Sequence, residues 1–269
     1  MRRFLSLAAV IAMAVALTAC GSSSSGSGAD TSASSSTTAD LGLKTPGTLT
    51  VASDIPYLPF EFTSPGSSEV KGFDVDLVKA IASTLGITDV QFVDQSFDSI
   101  ILSIKQGRFD MSASSWTITP ERAKEVAFGD PYFSANQAIL VKKDSTLTGL
   151  DSLKGKTIGA QRATVGADLA ATVPGAKVLR YDTADDAFNA LAQGRVNAAI
   201  TDYPVVAYAA AQKPTLKVSA EVPGNLSLGL MFPKTSTALI TAFNDGLAKV
   251  KADGTYDTIY AKWFGEAPK

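Results

Sequence analysis

Charged and hydroxyl-bearing residues follow several apolar segments at the points where strands are expected to end. Arg122 lies in the first turn of a helix that a Thr-Pro pair is expected to open. A planar guanidinium beside free backbone N–H groups binds a carboxylate with two hydrogen bonds. Asp202, with the oxygens of Ser115 and Thr117, suits an ammonium group, and Ser114 stands at the same strand end. An anion site next to a cation site is the pattern that recognises the two charges of a free amino acid.

Further candidates stand at similar positions. Thr164 opens another predicted helix and would add N–H donors for the same anion. Tyr57 and Phe97 follow strand ends and could sandwich a ligand side chain, and Asp54 precedes them in a Pro-rich loop. Each has a plainer interpretation. Arg122 could be a surface residue in a charged helix turn, the aromatics could belong to the core, and Asp54 could cap a loop.

The composition excludes several kinds of chemistry. The 269 residues include no histidine and one cysteine, which removes histidine-based triads, histidine metal sites, internal disulfides and Cys₄ zinc sites. A formal net charge of -2 gives no basic footprint for nucleic acid. With 45% apolar and 19% charged residues the chain can bury a core, and its length suggests two domains. We therefore expect no cofactor, no metal and no nucleic-acid partner.

The elements that must position these residues alternate between strands and helices, which indicates an α/β fold with largely parallel sheets. Apolar runs predict the strands, and amphipathic spacing predicts the helices. The expected strands are 49–52, 90–93, 109–113, 137–143, 157–160, 178–181, 198–201 and 226–232. The expected helices are 74–85 with Asp74 as its cap, 97–106, 236–252, 256–264, and others that begin at Thr119, Thr164, Thr183 and Pro204.

A short internal sequence repeat indicates two similar α/β units. The pentapeptide QGRFD at 106–110 is matched by QGRVN at 193–197, each after an amphipathic helix and before a short apolar strand. In open α/β units, ligands lie beyond the carboxyl ends of the strands. Two units that face each other across a cleft would bring residues 114–117 of the first close to Asp202 of the second.

The first 45 residues are not expected to belong to the fold. A short basic start precedes an apolar stretch at 4–17 that is too short to span a bilayer comfortably, so residues 1–19 are interpreted as an export signal. The signal ends in Leu-Thr-Ala-Cys, which resembles the lipobox of bacterial lipoproteins, with cleavage before Cys20 and lipid on its sulfur. The alternative is an ordinary secretory signal with a chance cysteine. Residues 20–45, rich in Ser, Gly and Thr, predict a flexible tether for an extracytoplasmic body anchored to the membrane.

Motifs along residues 46–264 carry a resemblance to a known family. Asp-Ile-Pro-Tyr-Leu-Pro-Phe-Glu stands at 54–61, Gly-Phe-Asp-Val-Asp-Leu at 72–77, and Phe-Asp at 97–98. Thr-Ile-Thr-Pro-Glu-Arg follows at 117–122, with further matches at 128–132, 153–159 and 252–256. In these segments the chain resembles the bacterial extracellular solute-binding proteins of the polar amino-acid class (family 3), the receptors of ABC importers.

The resemblance implies a two-lobe, type II periplasmic-binding-protein-like fold with two crossing hinge strands. Lobe one would comprise residues 46–135 and 229–269, and lobe two residues 136–228. Arg122 matches the arginine that binds the ligand carboxylate, and Asp202 matches the aspartate that takes the α-ammonium. The other matched positions are two aromatics that enclose the side chain, hydroxyl and backbone donors, and a carboxylate at the far end of the side chain: Tyr57, Phe97, Ser115, Thr117, Thr164 and Asp54.

One departure leaves the ligand open. Arg162-Ala163 stands where the family usually has Gly-Thr before the position of Thr164. If Arg162 turns into the cleft, it could pair with Asp54 or meet an acidic ligand side chain. Otherwise Asp54 favours arginine, lysine, ornithine or glutamine. We therefore count Gln161 and Arg162 among the ligand-binding residues.

The resemblance implies a receptor, not an enzyme, that closes its lobes over a polar amino acid and delivers it to an ABC permease. An enzyme of the dehydratase type on the same fold is one alternative, but it needs a general acid or base over the leaving group. A receptor that signals without transport is another. We expect the protein to be a monomer.

Overall fold

The structure is a computed structural model that describes residues 40–265, so the predicted signal segment and Cys20 lie outside the described residues. The strands before residue 140 are β1 (Thr48–Ser53), β2 (Phe62–Thr63), β3 (Val70–Lys71), β4 (Asp89–Asp94), β5 (Met111–Ser112), β6 (Ala127–Phe128), β7 (Phe133–Ser134) and β8 (Gln137–Lys142). The later strands are β9 (Thr157–Gln161), β10 (Lys177–Tyr181), β11 (Ala198–Asp202), β12 (Leu216–Val222), β13 (Ser227–Leu228) and β14 (Met231–Phe232).

Helices connect these strands and cover the sheets. They are α1 (Phe73–Thr84), α2 (Phe97–Lys105), α3 (Pro120–Ala123), α4 (Val165–Ala171), α5 (Ala184–Ala192), α6 (Tyr203–Gln212), α7 (Thr237–Ala252) and α8 (Thr255–Phe264). A short 3₁₀ helix occupies Leu150–Leu153. Among residues 40–265, no helix is both long and apolar enough to cross a membrane.

Two five-stranded sheets form two sheet-rich lobes. The first has the strand order β4-β1-β5-β14-β6 and the second β10-β9-β11-β8-β12. In each sheet the first three strands are parallel and the last two are antiparallel to their neighbours. The expectation of largely parallel sheets is therefore wrong. Strands β14 and β8 enter their sheets directly after the chain crosses from the other sheet, without a helical crossover, so they run antiparallel.

The repeated pentapeptides occupy equivalent places in the two sheets. The first precedes β5 and the second precedes β11, and each of these is the central strand of its sheet and runs parallel to its neighbour, β1 or β9. The glycine in each pentapeptide has a positive φ, 63° at Gly107 and 76° at Gly194, which favours glycine. The shared sequence therefore ends equivalent helices and turns the chain into equivalent strands.

The chain passes between the lobes through two short strands. Strands β7 and β13 pair antiparallel, with Phe133 opposite Leu228 and Ser134 opposite Ser227. We call β7 and β13 the linking strands. They correspond to the two hinge strands that the sequence resemblance implies, although the exact lobe boundaries stay a prediction.

Local sequence explains why the helices that carry the site begin where they do. Thr119, Thr164 and Thr183 each accept a hydrogen bond from the backbone N–H three residues on, as N-caps do. The prediction that Asp74 caps α1 is wrong, because α1 begins after Gly72 and the carboxylate of Asp74 is buried instead. Gly72 has a φ of 141°, and a Cβ there would lie 2.0 Å from the carbonyl oxygen of Phe60.

Two strand predictions also need correction. The expected strand at 226–232 is interrupted at Gly229-Leu230, because β13 links the lobes whereas β14 belongs to the first sheet. Strand β12 (Leu216–Val222) was not expected, although its sequence Leu-Lys-Val-Ser-Ala-Glu-Val alternates apolar and polar residues. It forms an edge of the second sheet.

Candidate functional site

A small cavity lies between the two lobes. It lies beyond the ends of β5 and β11 and beside the first turn of α4. The residues that line it are Tyr57, Phe97, Ser114, Ser115, Thr117, Arg122, Gln137, Gln161, Thr164, Val165, Gly166, Thr201 and Asp202. Nine of the predicted ligand-binding residues are in this set, whereas Asp54 and Arg162 are not.

Arg122 is the cationic member of the cavity. Its Nη1 donates to the carbonyl oxygen of Thr117 at 2.8 Å, and its Nη2 donates to the carbonyl oxygen of Ala163, in the other lobe, at 3.0 Å. The guanidinium carbon lies 4.9 Å from the ring centre of Trp116 and 5.5 Å from that of Phe97, which is favourable for a cation over an aromatic face. These contacts hold the fork of the guanidinium in place, with the remaining N–H donors free to meet an anion.

The aromatic support of Arg122 comes from one stacked pair. The rings of Phe97 and Trp116 lie 4.1 Å apart at an interplanar angle of 16°. Trp116 is fully buried, whereas Phe97 also lines the cavity. The same ring of Phe97 can therefore carry the guanidinium and border a ligand.

Asp202 is the anionic member and lies at the end of β11. The Tyr57 hydroxyl donates to its Oδ2 at 2.6 Å, and Gln137 Nε2 donates to its Oδ1 at 2.5 Å. The Tyr57 hydroxyl also lies 2.9 Å from Thr201 Oγ1. Since Tyr57 follows β1 and Asp202 ends β11, this contact joins the two lobes.

The end of β5 forms the floor of the cavity. Ser114 Oγ donates to Glu61 Oε1 at 2.8 Å, and the Ser115 N–H donates to Asp74 Oδ2 at 2.9 Å. Ser115 has a φ of 46°, which is uncommon for a residue other than glycine. Its hydroxyl is buried and has no hydrogen-bond partner among the described residues, so it is available to a ligand.

The start of α4 approaches the cavity closely because its second residue is glycine. A Cβ at Gly166 would lie 2.7 Å from the Ile200 carbonyl oxygen and 2.9 Å from Gln137 Oε1. Thr164 caps this helix, accepting from the Ala167 N–H and donating to the Gln161 carbonyl. A larger residue than glycine would push this helix away from the end of β11.

Asp54 and Arg162 lie next to the cavity lining rather than in it. Asp54 Oδ2 accepts a hydrogen bond of 2.7 Å from Gln161 Nε2, so Gln161 stands between Asp54 and the cavity. Arg162 forms an ion pair with Asp182 and lies 3.9 Å from Asp98. The alternative of an Asp54–Arg162 pair is therefore not what the structure contains.

Burial sets the electrostatics of the carboxyls around the cavity. Burial raises the pKa of Asp54 to about 6, although the hydrogen bond from Gln161 opposes the rise. Burial also raises the pKa of Asp202 from its ordinary value, opposed by Tyr57, Gln137 and Arg122. A positive ligand group placed beside either carboxyl would favour its charged form.

Sequence reasoning missed several lining residues, of which Gln137 is the most consequential. It begins β8, and its amide reaches Asp202 on the neighbouring antiparallel strand, where the two residues are register partners. Thr201, directly before Asp202, carried a recognisable signal as a hydroxyl residue at a strand end. Trp116, which does not line the cavity, was not singled out either, although it is buried, stacks on Phe97 and supports Arg122.

Comparisons with known proteins identify the family of this chain. The family model of the bacterial extracellular solute-binding proteins, family 3, matches residues 49–266. The chain is 35% identical over 214 residues to an ABC transporter arginine-binding protein 1 of Escherichia coli, covering 77% of this chain and 87% of that protein. It is 33% identical over 213 residues to the ABC transporter glutamine-binding protein GlnH of Bacillus subtilis, covering 78% of each.

Solved structures of amino-acid-binding proteins are also similar to this chain. An ancestral arginine-binding protein bound to arginine is 39% identical with a TM-score of 0.78, covering 81% of this chain and 99% of that one. An ancestral amino acid-binding protein described as a precursor of cyclohexadienyl dehydratase is 38% identical with a TM-score of 0.75, covering 81% of this chain and 95% of that one. The chain therefore belongs to the bacterial extracellular solute-binding proteins of family 3.

Proposed function

We propose that this protein is an extracytoplasmic receptor that captures a polar amino acid between its lobes and delivers it to an ABC permease. The observation that carries the proposal is that Arg122 and Asp202, a cation and an anion from different lobes, line one small cavity. A free amino acid presents one carboxylate and one ammonium a few bonds apart. A buried site needs a full set of partners for each charge, and this cavity offers both.

Eight of the eleven predicted contact residues act on the ligand's two charges or on the start of its side chain. The free N–H groups of Arg122, with the backbone N–H groups of Thr117 and Thr164, hold the ligand carboxylate. Asp202 and the Ser115 hydroxyl accept from the ammonium. Tyr57 and Phe97 enclose the start of the side chain, and Ser114 fixes the strand end beneath it.

We propose a basic or glutamine-like amino acid as the ligand. The support is the Gln161–Asp54 pair, in which a carboxylate of raised pKa lies behind an amide that lines the cavity. A guanidinium or ammonium that displaced the Gln161 amide from Asp54 would find a buried negative partner. The relatives named for arginine and glutamine are consistent with this class.

The chain is a binding protein rather than an enzyme, as its matched relatives are. The similarity to a precursor of cyclohexadienyl dehydratase does not alter this assignment, because that precursor is itself named as an amino acid-binding protein. Attachment to the membrane through lipid on Cys20, and a monomeric state, are further proposals that rest on the sequence alone.

The test is isothermal titration calorimetry of the protein against the twenty amino acids, ornithine and citrulline, followed by Arg122→Ala. We expect the variant to lose at least about 3 kcal/mol of binding free energy, because a desolvated carboxylate loses its bidentate partner. Arg108→Ala and Arg195→Ala are matched controls, since both arginines are exposed and lie in the repeated pentapeptides away from the cavity. Near-native affinity in Arg122→Ala would refute the assignment of the carboxylate site.

A further inference from the structure

Two buried carboxyl groups lie beneath the cavity floor without lining it. Asp74, in the first turn of α1, and Glu61, before β2, are both completely buried. One oxygen of each, Asp74 Oδ1 and Glu61 Oε2, has no hydrogen-bond partner among the described residues. The proposed ligand contacts do not use either group, so their burial needs a separate explanation.

Asp74 holds a residue that has an uncommon backbone conformation. Its Oδ2 accepts the Ser115 N–H at 2.9 Å, and Ser115 has the positive φ of 46°. Such a conformation persists only where the surroundings determine it. In this conformation the Ser115 hydroxyl lines the cavity without a protein partner. The position of a ligand contact therefore depends on a carboxylate that does not itself touch the cavity.

The same oxygen of Asp74 reaches the linking strands. The Tyr132 hydroxyl donates to Asp74 Oδ2 at 2.8 Å, and Tyr132 directly precedes β7. The Tyr132 N–H donates to the Leu228 carbonyl oxygen on β13. One carboxylate oxygen thus connects the cavity floor, through one tyrosine, to both strands between the lobes.

We propose that Asp74 is a positioning residue for ligand binding, and this inference rests on the proposed amino-acid-binding function. Its carboxylate, held by the Tyr132 hydroxyl, fixes Ser115 against the ligand and ties the cavity floor to the linking strands. Glu61 positions Ser114 in the same way, by accepting a hydrogen bond from its Oγ. Ser114 Oγ in turn accepts a hydrogen bond of 3.0 Å from the Asp54 N–H.

The charge state of Asp74 gives the proposal a distinctive signature. Burial raises the pKa of Asp74 to about 7, while the Ser115 N–H and the Tyr132 hydroxyl hold it down. The other titratable groups that face it are Glu61, Asp202 on β11 and Tyr256 on α8. Burial, with the nearby charge of Asp74, also raises the pKa of Glu61 well above its ordinary value. Protonation of Asp74 weakens its hold on Ser115, so affinity should fall as the pH drops through this pKa.

Tyr132→Phe tests the proposal with the ring retained and one donor removed. The dissociation constants for L-arginine and L-glutamine are measured by calorimetry between pH 5.5 and 8.5. We expect about tenfold weaker binding at pH 8, the loss typical of a hydrogen bond to a charged group. Because the lost donor favours the carboxylate, the pKa of Asp74 rises, and the acid-side loss of affinity should begin at least about 0.5 pH units higher than in the wild type.

Tyr256→Phe is the matched control, because the Tyr256 hydroxyl donates to the Tyr132 carbonyl oxygen and not to Asp74. We expect its affinity to stay within about twofold of the wild type, with an unshifted profile. Asp74→Asn, nearly identical in shape, should bind weakly and lose the Asp74 contribution to the profile, which covers the case in which Tyr132→Phe does not fold. If the pH profile of Tyr132→Phe superimposes on that of the wild type, the positioning role of Asp74 is overturned, whereas the proposed amino-acid-binding function stands. Failure of the wild type to bind any amino acid would overturn the proposed function, and this inference with it.

Discussion

The Tyr57 hydroxyl is the single group whose removal best tests how the lobes are held together over the ligand. It donates to Asp202 Oδ2 at 2.6 Å and lies 2.9 Å from Thr201 Oγ1, so Tyr57→Phe leaves one oxygen of a buried carboxylate without its cross-lobe donor. A hydrogen bond to a charged group contributes about 1.5–3 kcal/mol. Since the contact exists only when the lobes meet, nearly all of that loss should appear in binding. We expect the dissociation constant of the preferred amino acid to rise about 10–100-fold.

Calorimetry on Tyr57→Phe, Asp202→Asn and the double variant would isolate the contact. A double-mutant cycle should give a coupling free energy of at least about 1 kcal/mol for residues that share a hydrogen bond. Tyr203→Phe is the control, because Tyr203 directly follows Asp202 but its side chain is 39% exposed. If Tyr57→Phe binds within twofold of the wild type while Tyr203→Phe does the same, the hydroxyl does not stabilise the closed lobes and the argument is wrong.

Three further predictions concern specificity, pH and attachment. Asp54→Asn should weaken a basic ligand by about 2–5 kcal/mol and spare glutamine, as competition calorimetry would measure; a wild-type preference for glutamate or aspartate would contradict this. Burial raises the pKa values of Asp54 to about 6 and Asp74 to about 7, above their ordinary value, so their contribution to stability is present at acid pH and lost as the pH rises through 6 to 7. Calorimetric melting of the ligand-free protein should therefore occur about 3–8 °C higher at pH 5 than at pH 8, and Asp74→Asn should reduce the difference; an unchanged or lower melting temperature at pH 5 would count against the raised values. Cys20→Ser should abolish lipid labelling, with the precursor left uncleaved or the product released, and a cleaved variant that still partitions fully with salt-washed membranes would exclude the lipobox.

Local sequence signals singled out the cation and the anion that the structure brings to one cavity, Arg122 and Asp202. Thr119 and Pro120 marked the start of a helix, and Arg122 three residues after the cap is where that signal placed it. Asp202 was found because it follows an apolar strand. Their juxtaposition followed from the rule that ligands of open α/β units lie beyond the carboxyl ends of the strands, with two such units facing each other across a cleft.

Partners that come from distant elements could not be predicted in the same way. The direction of Arg162 depends on Asp182 and Asp98, which belong to other segments of the chain. Asp74 carried the local signal of a helix cap, but burial against Ser115 and Tyr132 decides its role. A pattern of residue types contains no information on such pairings until the fold has brought the segments together.

The sequence also did not predict which strands join the two sheets in antiparallel orientation. The α/β alternation predicts parallel strands joined by helices, and it says nothing about strands that enter a sheet directly from the other lobe. Gln137 illustrates the consequence, because its amide meets Asp202 only through the antiparallel pairing of β8 with β11. The sequence gives no sign that a residue at the first position of such a strand lines the cavity.

The stacked pair of Trp116 and Phe97 under Arg122 gives the protein an optical probe at the proposed binding site. The chain has two tryptophans, and the other, Trp263, lies on α8 with its indole N–H donating to Asp76. An indole whose face carries a guanidinium should change its emission when a carboxylate arrives at that guanidinium. In a Trp263→Phe background, all tryptophan fluorescence would come from Trp116, so ligand arrival at Arg122 could be followed on the millisecond scale without any added dye.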